Sequence, residues 1–132
     1  MYSINNNNSS SLTVLVVDDS RMIRVTAEKM LRNAGYEVVL ATDGFDALSK
    51  VVECKPEVII LDITMPDIDG YQTCALIKDH KEFKDIPVIM LSGKNGRFDR
   101  SRSKLAGFNE CLPKPFNETG LINAIDNVTA VN

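Results

Sequence analysis

Five short apolar runs in the chain each lead to residues that could do chemistry or open a turn. Asp18 and Asp19 follow the run Leu12–Val17, and Asp62 follows Val58–Leu61. Ser92 follows Ile86–Leu91, and Lys114 lies one proline beyond the weaker run Phe108–Leu112. If these runs are neighbouring strands, three carboxylates meet in one crevice. They repel unless some bind protons or a cation. Oxygen-only ligands favour a hard ion, and Mg²⁺ is the natural candidate. Asp62 would supply a carboxylate nucleophile able to form an aspartyl phosphate. The metal and Lys114 would neutralise charge on the transferring group. Ser92 could hydrogen-bond a phosphoryl oxygen once one is present, acting as a sensor of state.

Each residue also has a plainer reading. Asp19-Ser20 can cap a helix, and Ser20 suits an N-cap. Asp62 can cap the loop after its strand, and Lys114 can be a surface lysine. What weighs against these readings is their coincidence at several strand ends. In an open parallel sheet, ligands bind beyond the carboxyl ends of the strands. Only Thr42-Asp43-Gly44, after Tyr36–Ala41, reads as turn chemistry alone.

Stepping along the chain, helical periods separate the strand runs. Ile23, Ala27, Met30, Leu31 and Ala34 mark one apolar face, with Gly35 placed as a C-terminal cap. Phe45, Leu48 and Val52 mark a second helix, stopped by Pro56. Gly70, Cys74 and Ile77 fit a third. The segment after Gly96 is expected to form a fourth. Leu121, Ala124, Ile125 and Val128 mark a fifth. Strands alternating with helices imply an α/β, doubly wound, five-stranded parallel sheet with five helices. The order 2-1-3-4-5 is the common flavodoxin-like solution for five such units.

The chain has 132 residues, 44% hydrophobic and 25% charged, with a net charge of −3. That suits one domain and argues against general nucleic-acid binding. Residues 1–11 are polar and rich in Asn and Ser, and are expected to form a disordered tail before a single domain over 12–132. No apolar run is long enough for a membrane helix, and no signal peptide is visible. Cys54, Cys74 and Cys111 lack metal spacing and suggest reduced thiols in a cytoplasmic protein. Lys94, Arg97, Arg100, Arg102 and Lys104 cluster. They form either a solvated face or a docking face for an acidic partner.

Val16-Val17-Asp18-Asp19-Ser20, Leu61-Asp62-Ile63-Thr64-Met65-Pro66, Asp69-Gly70, Ser92 and Lys114-Pro115-Phe116 together resemble the signature of the response-regulator receiver (CheY-like) family. The likeness spans Leu12 to Val131. It implies that Asp62 is the phosphoacceptor and that Asp18, Asp19, Asp62 and the Thr64 carbonyl bind Mg²⁺. It implies that Ser92 is the switch hydroxyl, that Lys114 contacts the phosphoryl group, and that the Lys114–Pro115 bond is cis. The donor would be a histidine kinase or histidine phosphotransfer domain. The output would be protein contacts through the face of the fourth helix, fifth strand and fifth helix. Such a chain catalyses only its own phosphorylation and dephosphorylation. Within the family, Asp43 to Leu48, Asp69 to Lys78, Pro87 to Ser92 and Leu112 to Phe116 resemble the PilG-type regulators of type IV pilus twitching motility. That match includes Gln72 and Thr73, expected to face solvent. The alternative is a general chemotaxis-type or other single-domain receiver, acting as a phosphorelay intermediate or phosphate sink.

One position departs from the family. Three residues before the lysine it usually carries Tyr or Phe, and here stands Cys111. A thiol cannot fill the volume of a ring. Cys111 reads as a small buried strand residue, or as a redox sensor if exposed with a lowered pKa. Competing activities fit less well. A haloacid-dehalogenase-type phosphatase needs a second Asp where Thr64 stands. A degenerate receiver would lack one of the acids or the lysine. Asp67-Ile68-Asp69-Gly70 lacks the remaining ligands of a calcium loop and reads as a turn opening the third helix. Nothing after the receiver could enter a DNA groove, so no DNA-binding output is expected.

Overall fold

Strands that are apolar at every position must be covered on both faces, and this requirement organises the molecule. In the computed structural model, which describes residues 12–93 and 106–129, the strands are β1 (Thr13–Val17), β2 (Glu37–Ala41), β3 (Val58–Asp62), β4 (Val88–Ser92) and β5 (Glu110–Pro113). All pair in parallel, in the order β2-β1-β3-β4-β5. That is the order 2-1-3-4-5 expected from the sequence. The ladder sets Val17 opposite Leu61, Asp62 opposite Leu91, and Ser92 opposite Pro113. The chemically active residues therefore arrive at one edge of the sheet by register.

Four helices lie among the described residues: α1 (Arg21–Asn33), α2 (Gly44–Cys54), α3 (Gly70–Asp79) and α4 (Glu118–Thr129). The helix expected after Gly96 falls outside the described residues, as do residues 1–11 and the basic stretch Lys94 to Lys104. Alternate strand residues feed two cores. Leu15, Val17, Ile59, Leu61 and Met90 pack with α2 and α3. Val14, Val16, Ile60, Ile89 and Leu91 pack with α1 and α4. All ten are fully buried. Each contributes roughly 1.5–3 kcal/mol by leaving water, so β1, β3 and β4 are the rigid centre of the sheet.

Local signals set the helix ends. Ser20 caps α1 and its hydroxyl accepts from the Ile23 N–H. Gly35 follows that helix at φ +94, where an L side chain would be strained. Asp43 caps α2 and accepts from the Asp46 N–H. That helix ends with Lys55 at φ 47, directly before Pro56. No helix among the described residues is long and apolar enough to cross a membrane.

Of the apolar face expected on α2, only Leu48 packs against the core. Phe45 and Val52 are 58% and 61% exposed, while Gly44, Ala47 and Val51 are buried. The reason is close approach. A Cβ on Gly44 would lie 2.5 Å from Cγ1 of Ile68 and against the Thr73 hydroxyl of α3. Small residues face inward because the neighbouring helix leaves no room for large ones. Gly44→Ala is expected to lower stability by about 1–3 kcal/mol through overpacking. Urea denaturation checks this. An unchanged midpoint would mean that α2 and α3 are not so closely apposed.

Candidate active site

At the carboxyl edge of the sheet, the backbone aims the side chains before any of them interact. The Asp18 N–H donates to the Ala41 carbonyl at 3.2 Å, extending the β1 ladder by one residue. The Asp18 carboxylate is fully buried. Its Oδ1 accepts from the Ser20 N–H at 2.8 Å and its Oδ2 from Lys114 Nζ at 3.2 Å. Its carbonyl accepts from Arg24 Nη1 at 2.7 Å. Asp62 closes β3 and is 3% exposed. Its Oδ1 lies 3.1 Å from Lys114 Nζ, and the Thr64 N–H donates to its carboxylate. Asp19 stands exposed at the mouth. One oxygen from each of Asp18, Asp19 and Asp62 lies within 4.8 Å of the others.

The remaining candidates frame this cluster. Ser92 ends β4, one residue beyond the partner of Asp62 in the ladder. Its carbonyl accepts from the Lys114 N–H at 2.8 Å, which ties the ends of β4 and β5 together. The Lys114–Pro115 peptide is cis. Thr64 is exposed just past Asp62. Behind it, Asp69 and Gln72 form a reciprocal capping box on α3. Asp67 to Gly70 is thus a helix-opening turn.

Two contacts escaped sequence reasoning. A Cβ on Gly70 would lie 2.8 Å from the Ile63 Cα and closer still to the Asp62 carbonyl. The Gly70 N–H donates to the Ile63 carbonyl at 2.7 Å. The start of α3 therefore presses on the backbone that carries Asp62, and glycine is there because nothing larger fits. Arg24 braces the Asp18 carbonyl, and its only sequence signal is its place one turn after the N-cap. Thr73 corrects an expectation. It is buried rather than solvent-facing, and its hydroxyl donates to the Asp69 carbonyl at 2.8 Å. Gln72 is exposed but committed to the capping box.

The electrostatics are unbalanced. Burial, then the neighbouring Asp18 carboxylate, push the Asp62 carboxyl up to about 6, against the opposing pull of Lys114 and the Thr64 N–H. Burial alone would pull the Lys114 ammonium down, but Asp62 and Asp18 outweigh it and leave it raised. Among the described residues, one ammonium thus meets a cluster of three carboxylates, two of them buried and in contact with it. The donor set is all oxygen and carries excess negative charge, which fits a hard divalent cation.

Cys111 is half-buried beside Met90 and packs on the α2–α3 core. Burial, then Glu110, raise its thiol pKa. It has neither the exposure nor the lowered pKa a redox sensor needs. Tyr71 and Phe108, their ring centroids 6.5 Å apart, belong to the same core.

Residues 14–126 match the response regulator receiver domain family. The chain belongs to that family. It is 50% identical over 117 residues to Protein PilG of Pseudomonas aeruginosa, covering 89% of this chain and 87% of that one. It spans under half the length of other curated response regulators it resembles. Among solved structures, it is similar to the chemotaxis protein CheY4 of Vibrio cholerae, with a TM-score of 0.84 and 34% identity over 90% of this chain and 99% of that chain. It also resembles the receiver domain of a sensor histidine kinase from Pseudomonas aeruginosa, with a TM-score of 0.81 and 29% identity over 89% and 97% of the two chains. That structure holds a magnesium ion in its active-site cleft. As a receiver domain, the chain is a signalling component of a two-component system rather than a conventional enzyme, and a histidine kinase partner is implied.

The raised Asp62 pKa makes a prediction for the metal-free protein. The folded state holds its proton up to about 6, whereas the unfolded carboxyl titrates near the ordinary 3.8. Stability therefore falls as pH rises between these values, and the penalty is complete above the folded pKa. Asp62→Asn mimics the protonated acid. It should stabilise the metal-free protein at neutral pH by up to about 3 kcal/mol, the equivalent of the shift, and by nothing below about pH 4. Denaturant melts across that range measure this. A variant destabilised at neutral pH would show that Asp62 is not under the proposed repulsion.

Proposed function

We propose that this chain is a phosphorylation-switched response regulator in which Asp62 accepts a phosphoryl group from a phosphohistidine of a histidine kinase or phosphotransfer domain. The observation that carries this reading is the buried Asp62 carboxylate, held 3.1 Å from Lys114 Nζ and within reach of two further carboxylates. An Asp62 oxygen attacks phosphorus, a P–O bond forms and the P–N bond breaks. The histidine nitrogen keeps the electron pair and is left to take a proton from solvent. Lys114 holds the carboxylate in place and then faces the phosphoryl oxygens as a compact point charge. Asp18, Asp19, Asp62 and the Thr64 carbonyl would hold Mg²⁺, which when bound supplies the positive charge that the carboxylates lack.

Ser92 is the proposed sensor. It sits at the end of β4, and its carbonyl is already tied to Lys114. A hydroxyl drawn toward a new phosphoryl group would shift the segment after β4. The output is proposed to pass to a protein effector through that segment together with β5 and α4. Phosphorylation would bias two pre-existing arrangements, not create a new one. With Cys111 in place of a ring, the relay behind Ser92 must use other side chains of the same core.

The match to PilG over most of both chains supports the resemblance to PilG-type regulators, and with it the proposed role in type IV pilus twitching motility. The likeness to CheY4 supports the second reading, a general chemotaxis-type receiver. Both share the same chemistry. Incubation with acetyl phosphate and Mg²⁺ should add one hydroxylamine-labile phosphoryl group, mapped to Asp62 by mass spectrometry. Asp62→Asn should abolish it. Labelling of that variant at the wild-type level would place the acceptor elsewhere.

A further inference from the structure

The side of α2 that the core leaves outside is apolar, and it has an apolar neighbour on α3. Phe45 and Val52 are 58% and 61% exposed, and Leu76 of α3 is 50% exposed. Phe45, Leu48 and Val52 recur at the i, i+3, i+7 spacing of one helical stripe, whose Leu48 is half-buried and also packs against the core. Two contacts fix how α2 lies against α3. Gly44 abuts Thr73 at the start, and Lys55 Nζ meets Glu82 Oε2 at 3.0 Å at the end. The helices thus run side by side in the same direction. Single exposed apolar residues are ordinary, but a stripe along one helix continued onto the next marks an interaction surface.

The charges beside this stripe indicate what covers it. Glu53 follows Val52 on the outer flank of α2, and Asp79 lies one turn beyond Leu76 on the outer flank of α3. Both are exposed. Lys81, two residues after Asp79, is exposed, but three other lysines of this region are engaged elsewhere. Lys50 is bonded to Asp46 and to the Leu40 carbonyl. Lys55 is paired with Glu82. Lys78 turns inward onto the carbonyls of Lys84 and Ile86 and onto Asn109. An apolar strip with a carboxylate on either side is complementary to a helix with an apolar stripe and lysines or arginines on its flanks.

We propose that the outer face of α2 and α3, formed by Phe45, Leu48, Val52 and Leu76 between Glu53 and Asp79, docks an amphipathic basic helix of a partner protein. None of these residues belongs to the cluster around Asp62. Binding to this face does not require phosphorylation, so it stands or falls independently of the function proposed above.

The test uses the full chain and a fluorescein-labelled helical peptide with leucines at i, i+3 and i+7 and lysines on both flanks. Fluorescence anisotropy should show saturable binding that weakens with added salt, as exposed charge pairs are screened over about 8–10 Å. The double variant Phe45→Ser with Val52→Ser should bind at least about tenfold more weakly, as expected when buried anchors are lost. Circular dichroism should show it folded, and Leu76→Ser provides a second, independent surface variant. Glu53→Lys with Asp79→Lys should weaken binding of the lysine-flanked peptide and favour a glutamate-flanked version. Asp62→Asn should bind as wild type does. Equal binding to wild type and the Phe45/Val52 variant would overturn the proposal, as would equal affinity for the two peptides. A wild-type dimer in sedimentation that Phe45→Ser abolishes would overturn it too, assigning the face to a second copy of the chain.

Discussion

Everything at this site depends on one imbalance: among the described residues, a single ammonium, Lys114, is set against the carboxylates of Asp18, Asp19 and Asp62. Two of the acids are buried, where repulsion is screened least. Hydrogen bonds meet part of the cost, from the Ser20 N–H to Asp18 and from the Thr64 N–H to Asp62. The remainder appears as the raised Asp62 pKa. A pocket tuned only for stability would replace one acid with an amide. This one keeps negative charge that a cation or a phosphoryl group with its counter-ion can use. The electrostatic cost of crowding these acids thereby favours a cation that binds among them.

The sheet and the helices exist to hold that imbalance in place. Parallel register delivers Asp18, Asp62, Ser92 and Lys114 to one edge. β1, β3 and β4, which carry Asp18, Asp62 and Ser92, are buried on both faces, so these side chains cannot separate without dismantling two cores. Gly70 seats α3 against the Asp62 backbone, and Gly44 seats α2 against α3. A change at Asp62 is therefore felt first by closely packed backbone, which shifts between discrete arrangements more readily than it deforms. On the other side, the Ser92–Lys114 backbone bond couples β4 to β5.

Much of this was legible in the residues. Unbroken apolar runs announced covered strands, and acids and a lysine directly after them announced a shared edge. Ser20 and Gly35 marked helix ends by local chemistry, and the structure uses both as such, while Asp43, read as turn chemistry alone, caps α2. The apolar face of α2 was misjudged because periodicity reports where large side chains lie, not which side is close to a neighbour. Gly44, Ala47 and Val51 face the core because α3 leaves little room, a tertiary fact with no local signature. Thr73 was misplaced for the same reason: its hydroxyl is satisfied by the Asp69 carbonyl within its own helix, which lets a polar residue be buried. Arg24 and the seat of Gly70 on Asp62 are likewise contacts between elements.

The central claim is that Asp62 is held in a desolvated, carboxylate-crowded pocket that a cation relieves. Carbon-13 NMR titration of the Asp62 side-chain carboxyl, with and without Mg²⁺, tests it most directly. Without metal the midpoint should lie at about 6. With saturating Mg²⁺ it should fall below the ordinary value of 3.8, because a bound cation favours the charged form. A metal-free midpoint near 3.8 that Mg²⁺ leaves unmoved would contradict the account.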